Sequence, residues 1–209
     1  MDTSSKSAQF FIVTGAFLGW FSVVLQFYLI IINREASVPE TIIRYFSFFT
    51  ILTNLLITVC FTVLLCNPLS SWGRFFSNPS TLTAFAVYIA IVGLVYNGIL
   101  RFLWSPQGVQ QFVDELLHLV NPLWFLLFWI FFVPKSRLKW KNVFFWLLYP
   151  LFYLIFILIR GSVSGFYPYP FINVNNLGYP GVLVNCLVLF LGFLLISLLF
   201  IWVGKRWRK

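Results

Sequence analysis

GVLVNCLVLFLGFLLISLLFIWV, residues Gly181–Val203, runs for twenty-three residues without a charge, and GKRWRK, Gly204–Lys209, follows at once. A helix of that length rises about 34 Å, enough to cross a hydrocarbon core of roughly 30 Å. The cations beside it mark one end as an interfacial anchor. Five more runs of comparable length and apolarity precede it, at Gln9–Ile32, Ile42–Cys66, Thr81–Trp104, Asp114–Val133 and Lys141–Ile159. The pattern predicts an all-α, polytopic integral membrane protein, with six transmembrane helices in one bundle spanning residues 1–209. A composition of 61% hydrophobic and 9% charged residues excludes a soluble domain.

The cations give the expected orientation. Six spans in series place the N-terminus, the second and fourth connections and the C-terminus on one side. That side carries Lys6, Arg74, Lys135, Arg137, Lys139, Lys141, Lys205, Arg206, Arg208 and Lys209, whereas the other carries only Arg34, Arg44, Arg101 and Arg160. The asymmetry predicts a plasma-membrane protein with both termini cytoplasmic. The net charge of +9 then belongs mostly to a juxtamembrane belt facing anionic lipid. Membrane lipid is the expected partner. Nucleic acid is not, because no soluble domain exists to carry a basic groove. The first run is too long for a signal-peptide core and lacks a small-residue cleavage site, so it reads as an anchor. Cys60, Cys66 and Cys186 fall inside spans, without disulfide or metal spacing, and the chain has one histidine. No metal or other cofactor is expected.

Short connections predict antiparallel neighbours. Asn67-Pro68, Asn78-Pro79, Ser105-Pro106-Gln107-Gly108 and Pro134 are turn signals. The longest outer connection, Arg160–Pro180, holds glycines, prolines and the run Phe166-Tyr167-Pro168-Tyr169-Pro170-Phe171. It reads as non-helical, serving either as a lid over the bundle or as an interfacial anchor. Gly15 and Gly19 form a small-xxx-small pair, best read as close helix packing.

Polar residues concentrate at the outer ends of the spans. Asp114, Glu115 and His118 are spaced i, i+1 and i+4, so either carboxylate is placed to orient the imidazole. Asn121 continues that face. Pro122 cannot donate to the carbonyl of His118, which predicts a kink. In the second span Arg44, Ser47, Thr50 or Ile51, and Asn54 fall on one helical stripe. If the two spans begin at Ile42 and Asp114, Ser47 and His118 lie about 7 Å and 6 Å deep, at matching levels. Asn97 and Arg101 end the third span, and Arg160 ends the fifth. Arginines in such positions ordinarily snorkel to the interface, and Ser or Thr ordinarily bonds to its own helix.

The elements Arg44-Tyr45-Phe46-Ser47-x-x-Thr50-x-x-Thr53-Asn54, Leu117-His118-x-x-x-Pro122, Tyr149-Pro150-x-x-Tyr153, Arg160-Gly161 and Tyr167-Pro168-Tyr169-Pro170-Phe171 resemble the bacterial Pr-six-Pr family of six-span proteins. That family is more distantly similar to the androgen-induced and androgen-dependent TFPI-regulating proteins. Those are six-span hydrolases of fatty-acid esters of hydroxy fatty acids, using a Thr nucleophile and a His. The resemblance implies Ser47 at the nucleophile position, with Thr50 as rival, and His118 as its base.

The favoured expectation is therefore a membrane-embedded Ser/Thr hydrolase of a lipid ester, such as a fatty-acid ester. Ser47 or Thr50 would attack, His118 would carry the proton, and Asp114 or Glu115 would orient it. Arg44, Arg101 or Arg160 would hold a fatty-acid carboxylate or lipid phosphate, with Asn54, Asn97 and Asn121 also holding the substrate. No G-x-S-x-G elbow occurs. The rival expectations are a small-molecule or proton transporter or receptor using the same cluster, and a structural protein in which polar residues only join helices.

Overall fold

A computed structural model describes residues 5–206; Arg208 and Lys209 of the expected inner belt lie outside the described residues. Six helical segments are long and apolar enough to cross a membrane, and no strand occurs among the described residues. The elements are α1 (Lys6–Ile32), α2 (Val38–Tyr45), α3 (Phe49–Cys66), α4 (Ser71–Phe76), α5 (Pro79–Gly98), α6 (Gly108–Glu115), α7 (Asn121–Phe132), α8 (Asn142–Trp146), α9 (Leu148–Ser164) and α10 (Val174–Arg206). A 3₁₀ turn, Leu100–Phe102, prolongs α5, and a π-turn, Leu116–Val120, joins α6 to α7.

Several boundaries differ from the sequence expectation. The second span does not run unbroken from Ile42. Pro39 starts the short α2, which ends at Tyr45, and α3 begins afresh at Phe49. Between them, Ser47 and Phe48 turn tightly, donating to the carbonyls of Arg44 and Tyr45. The Ser47 hydroxyl bonds to Ile43 O at 2.7 Å and so competes with helix continuation. The fourth span starts at Gly108, ahead of Asp114. The Arg160–Pro180 stretch is partly helical after all. α9 continues to Ser164, where Gly165 caps it at φ 71°, and α10 starts at Val174 before breaking at Gly178.

Helix α5 is the central element, with 61% of its apolar window buried; the windows in α9 and α10 are 22% buried and leave broad lipid-facing sides. α1 lies close along α3, because a Cβ at Gly15 would meet the Phe61 ring and one at Gly19 would meet the Thr58 side chain. Below the middle of the bundle, Ile12, Phe61, Phe125 and Phe128 are almost wholly buried and fill the interior. Above them a polar tie links three spans: Asn121 Nδ2 donates to Ser22 Oγ at 2.8 Å and to Asn54 Oδ1 at 2.9 Å. Tyr45 pins the α2–α3 break to α1 by donating to Val23 O at 2.7 Å.

Candidate functional site

The histidine sits where the fourth span leaves α-geometry. Pro122 has no N–H to give to His118 O, and Asn121 N–H reaches back five residues to Leu116 O. Two successive carbonyls, those of Leu117 and His118, therefore lose their helical donors. Each is met by a side chain from another span. Asn54 Nδ2 donates to Leu117 O at 3.1 Å, and Asn97 Nδ2 donates to His118 O at 3.1 Å. Gly93 lets α5 approach this turn, since a Cβ there would lie 3.3 Å from His118 O. The expected kink is thus a π-turn. Asn54, Asn97 and Asn121, expected to hold substrate, are engaged in its backbone and in the interhelical tie.

The imidazole is fixed on two sides. Its Nδ1 lies 2.9 Å from the carbonyl oxygen of Asp114. A carbonyl only accepts, so Nδ1 carries the proton, and in the neutral ring Nε2 is then the bare nitrogen. The Tyr96 ring stacks on the imidazole at 3.8 Å and 12°. The carboxylates do not do the orienting that their spacing suggested. The Asp114 carboxyl turns away to Trp104 Nε1 at 2.9 Å, Gln110 Nε2 at 3.1 Å and the Tyr96 hydroxyl at 3.3 Å. Glu115 pairs with Arg101 Nη2 at 2.6 Å.

His118 opens on a cavity of about 510 Å³ at the end of the bundle away from the termini. Thr50, Tyr96, Asp114, Gln26, Gln110 and Tyr169 share its wall. Ser47 does not line it: its side chain is fully buried, its hydroxyl is spent on Ile43 O, and its own carbonyl accepts from Tyr153 at 2.9 Å. The break before Phe49 takes Ser47 off the stripe on which the sequence placed it. Of the two candidate nucleophiles, Thr50, in the first turn of α3, is the one that lines the cavity. The Tyr169 hydroxyl lies 3.2 Å from Thr50 N and 3.4 Å from Thr50 Oγ1. The α9–α10 connection thereby covers the site, with Pro168, Tyr169 and Pro170 forming part of its wall.

The three arginines do not converge on this cavity either. Arg44 Nε and Arg160 Nη2 share one oxygen, Glu40 Oε1, at 2.8 and 2.7 Å. Both guanidinium groups also lie over the Phe166 ring, 4.6 and 4.8 Å from its centroid. This cluster ties the covering loop to α2. Glu40 lies outside the spans, and its carboxyl is held below the usual carboxylate value by the hydrogen bond from Arg44 and then by Arg160. Among the described residues, no group of His, Cys, Asp or Glu is arranged to hold a metal ion.

Gln26, Tyr96, Trp104, Gln110 and Tyr169 belong to the site but were not singled out by spacing. Gln26 is the one amide in the second half of the first span, and Gln110 precedes Asp114 by one turn; both signals were readable. Tyr169 stood in the aromatic-proline run, but nothing local said that it would point inward. Compared with protein-family models, curated proteins and solved structures, the chain gives no match in any of the three.

Proposed function

We propose that this protein is a membrane-embedded hydrolase of lipid esters, with Thr50 as nucleophile and His118 as its general base. The observation that carries the reading is the placement of the one histidine: Nδ1 is pinned to a backbone carbonyl, which leaves Nε2 as the free ring nitrogen, and the residue lines the same cavity as Thr50. Thr50 Oγ1 attacks the acyl carbonyl carbon while its proton passes to His118 Nε2. Collapse of the tetrahedral intermediate breaks the bond to the leaving alcohol, which takes that proton. Water then attacks the acyl-threonine, again through His118, releasing the fatty acid and returning the proton to Thr50 Oγ1. Tyr96 and the Asp114 carbonyl hold the ring plane and tautomer through both steps.

The motif resemblance points the same way, with Thr50 in place of Ser47. A transport pathway has less support, since the packed aromatics Phe61, Phe125 and Phe128 lie beneath the site. The cation asymmetry supports a plasma-membrane orientation with cytoplasmic termini and the cavity in the outer leaflet. Reporter fusions after Lys209 and within residues 162–176 should report opposite sides. The catalytic reading is tested by labelling with a lipid fluorophosphonate. Wild type and Ser47→Ala should label, whereas Thr50→Ala and His118→Ala should not. Full labelling of Thr50→Ala would remove Thr50 as the nucleophile.

A further inference from the structure

The cavity offers an unusual set of polar groups for a lipid site. Among the described residues, no cationic side chain lines it. Arg101 is committed to Glu115, and Arg44 and Arg160 are committed to Glu40. The only carboxyl in its wall is Asp114, 6% exposed and met entirely by neutral donors. An anionic head entering here would lose its water without gaining a counter-charge, and would lie beside a second acid.

The same carboxyl fixes the direction of two amides. Trp104 Nε1–H can only donate, and Gln110 presents its amide nitrogen to Asp114 Oδ1 at 3.1 Å. That nitrogen also donates to Gln26 Oε1 at 2.8 Å. The Gln26 amide is thereby oriented with its oxygen spent and, among the described residues, no partner for its NH₂, in a side chain that lines the cavity. Apart from Asp114, the polar groups of the wall are then uncharged: Gln26 Nε2 as donor, His118 Nε2 as acceptor, and the Thr50 and Tyr169 hydroxyls, 3.4 Å apart. Beyond Thr50, Tyr96, Leu100 and Tyr169, which form a common wall, lies a second and smaller space of about 100 Å³. It is bounded by apolar side chains of α5, α9 and α10, such as Val95, Leu154 and Phe190.

From this we infer that the site selects uncharged acyl esters, of the acylglycerol or simple alkyl-ester class, and rejects esters that carry a free carboxylate or phosphate into the cavity. Gln26 Nε2 takes a carbonyl or hydroxyl oxygen of the head, and the acyl chain runs past Tyr169 into the apolar space. This inference rests on reading the cavity as a lipid-ester site, and it sets the substrate class that the arginine-based expectation would have placed among acids.

The test uses the full chain in nanodiscs with a diazirine-bearing monoacylglycerol as photoprobe. Crosslinks should map to peptides of α1, α3 and the α9–α10 connection. Unlabelled monoacylglycerol should compete at least about tenfold better than the matched free fatty acid. Gln26→Leu should weaken that competition about fivefold, the weight of one neutral hydrogen bond. Leu103→Arg, at an exposed position of the cavity wall, adds a cation without touching the polar chain and should shift the preference toward the fatty acid. Equal or better competition by the fatty acid in the wild type, or no crosslink at the cavity, overturns the inference. A parallel turnover assay separates the two claims. Selective binding without cleavage sinks only the hydrolase reading, and equal cleavage of neutral and carboxylate-bearing esters sinks only the selectivity.

Discussion

Removing the amide of Asn97 should cost more than an ordinary interhelical hydrogen bond, and Pro122 is the reason. A polar contact between membrane helices contributes about 0.6 kcal/mol on average, because the separated helices find other partners. His118 O has no such alternative within its own helix, since residue 122 lacks an N–H and Asn121 N–H is given to Leu116 O. In Asn97→Ala that carbonyl is orphaned, a loss of about 1–3 kcal/mol. Pro122→Ala restores a backbone donor that can reach His118 O. In that background the Asn97→Ala cost should fall toward about 0.6 kcal/mol, for a coupling of about 1 kcal/mol. The cycle is read from denaturant titrations of four purified variants in one detergent, followed by far-UV circular dichroism. Equal costs for Asn97→Ala with and without Pro122, within about 0.3 kcal/mol, would refute the account of the turn.

Thr50→Ser should retain ester cleavage while Thr50→Ala loses nearly all of it, and Thr50→Ala/His118→Ala should be no worse than either single variant, because a nucleophile and its base act as a unit; turnover of a fluorogenic neutral ester checks this. Ser47→Ala should leave turnover intact and change stability by no more than about 1 kcal/mol, since it loses one local hydrogen bond to Ile43 O. The Glu40 cluster should loosen in acid. The Glu40 carboxyl is depressed in the folded chain below 4.5, so its stabilising effect is complete above that pH and is lost as the pH falls through the lower folded value. Hydrogen exchange around Phe166 should rise over that interval in the wild type, and Glu40→Gln should flatten the response. Gly19→Val should weaken α1–α3 packing by about 1–3 kcal/mol, because the added side chain overlaps Thr58; detergent melting measures it.

The span count was legible because hydropathy and length act over twenty residues at a time and need no tertiary information. The π-turn was half legible: Pro122 announced a missing donor, but a kink and a π-turn satisfy that loss equally well in one dimension. What separates them is Asn54 and Asn97 arriving from other helices. Ser47 was misplaced because an unbroken stripe from Arg44 to Asn54 assumes one helix, whereas α2 ends at Tyr45 and α3 begins at Phe49. The arginines looked like anion ligands because they end spans on the outer side, yet four of the five acids fall on that side too and were equally available as partners. Only the fold decides which carboxylate each cation meets.

The π-turn also changes the phase of the fourth span. A helix advances about 100° per residue, so one additional residue within a turn rotates everything after it by about that angle. α6 brings Val113 and Asp114 inward, and α7 brings Asn121, Pro122, Phe125 and Phe128 inward, on a face offset from the first. The two halves of one span therefore obey separate hydrophobic patterns. Deleting Leu119 would bring them back into step, turning the histidine relative to the packed aromatics beneath it. A natural chain lacking that residue would align with this one only across a gap inside the fourth span, and its histidine would no longer share the setting described for His118.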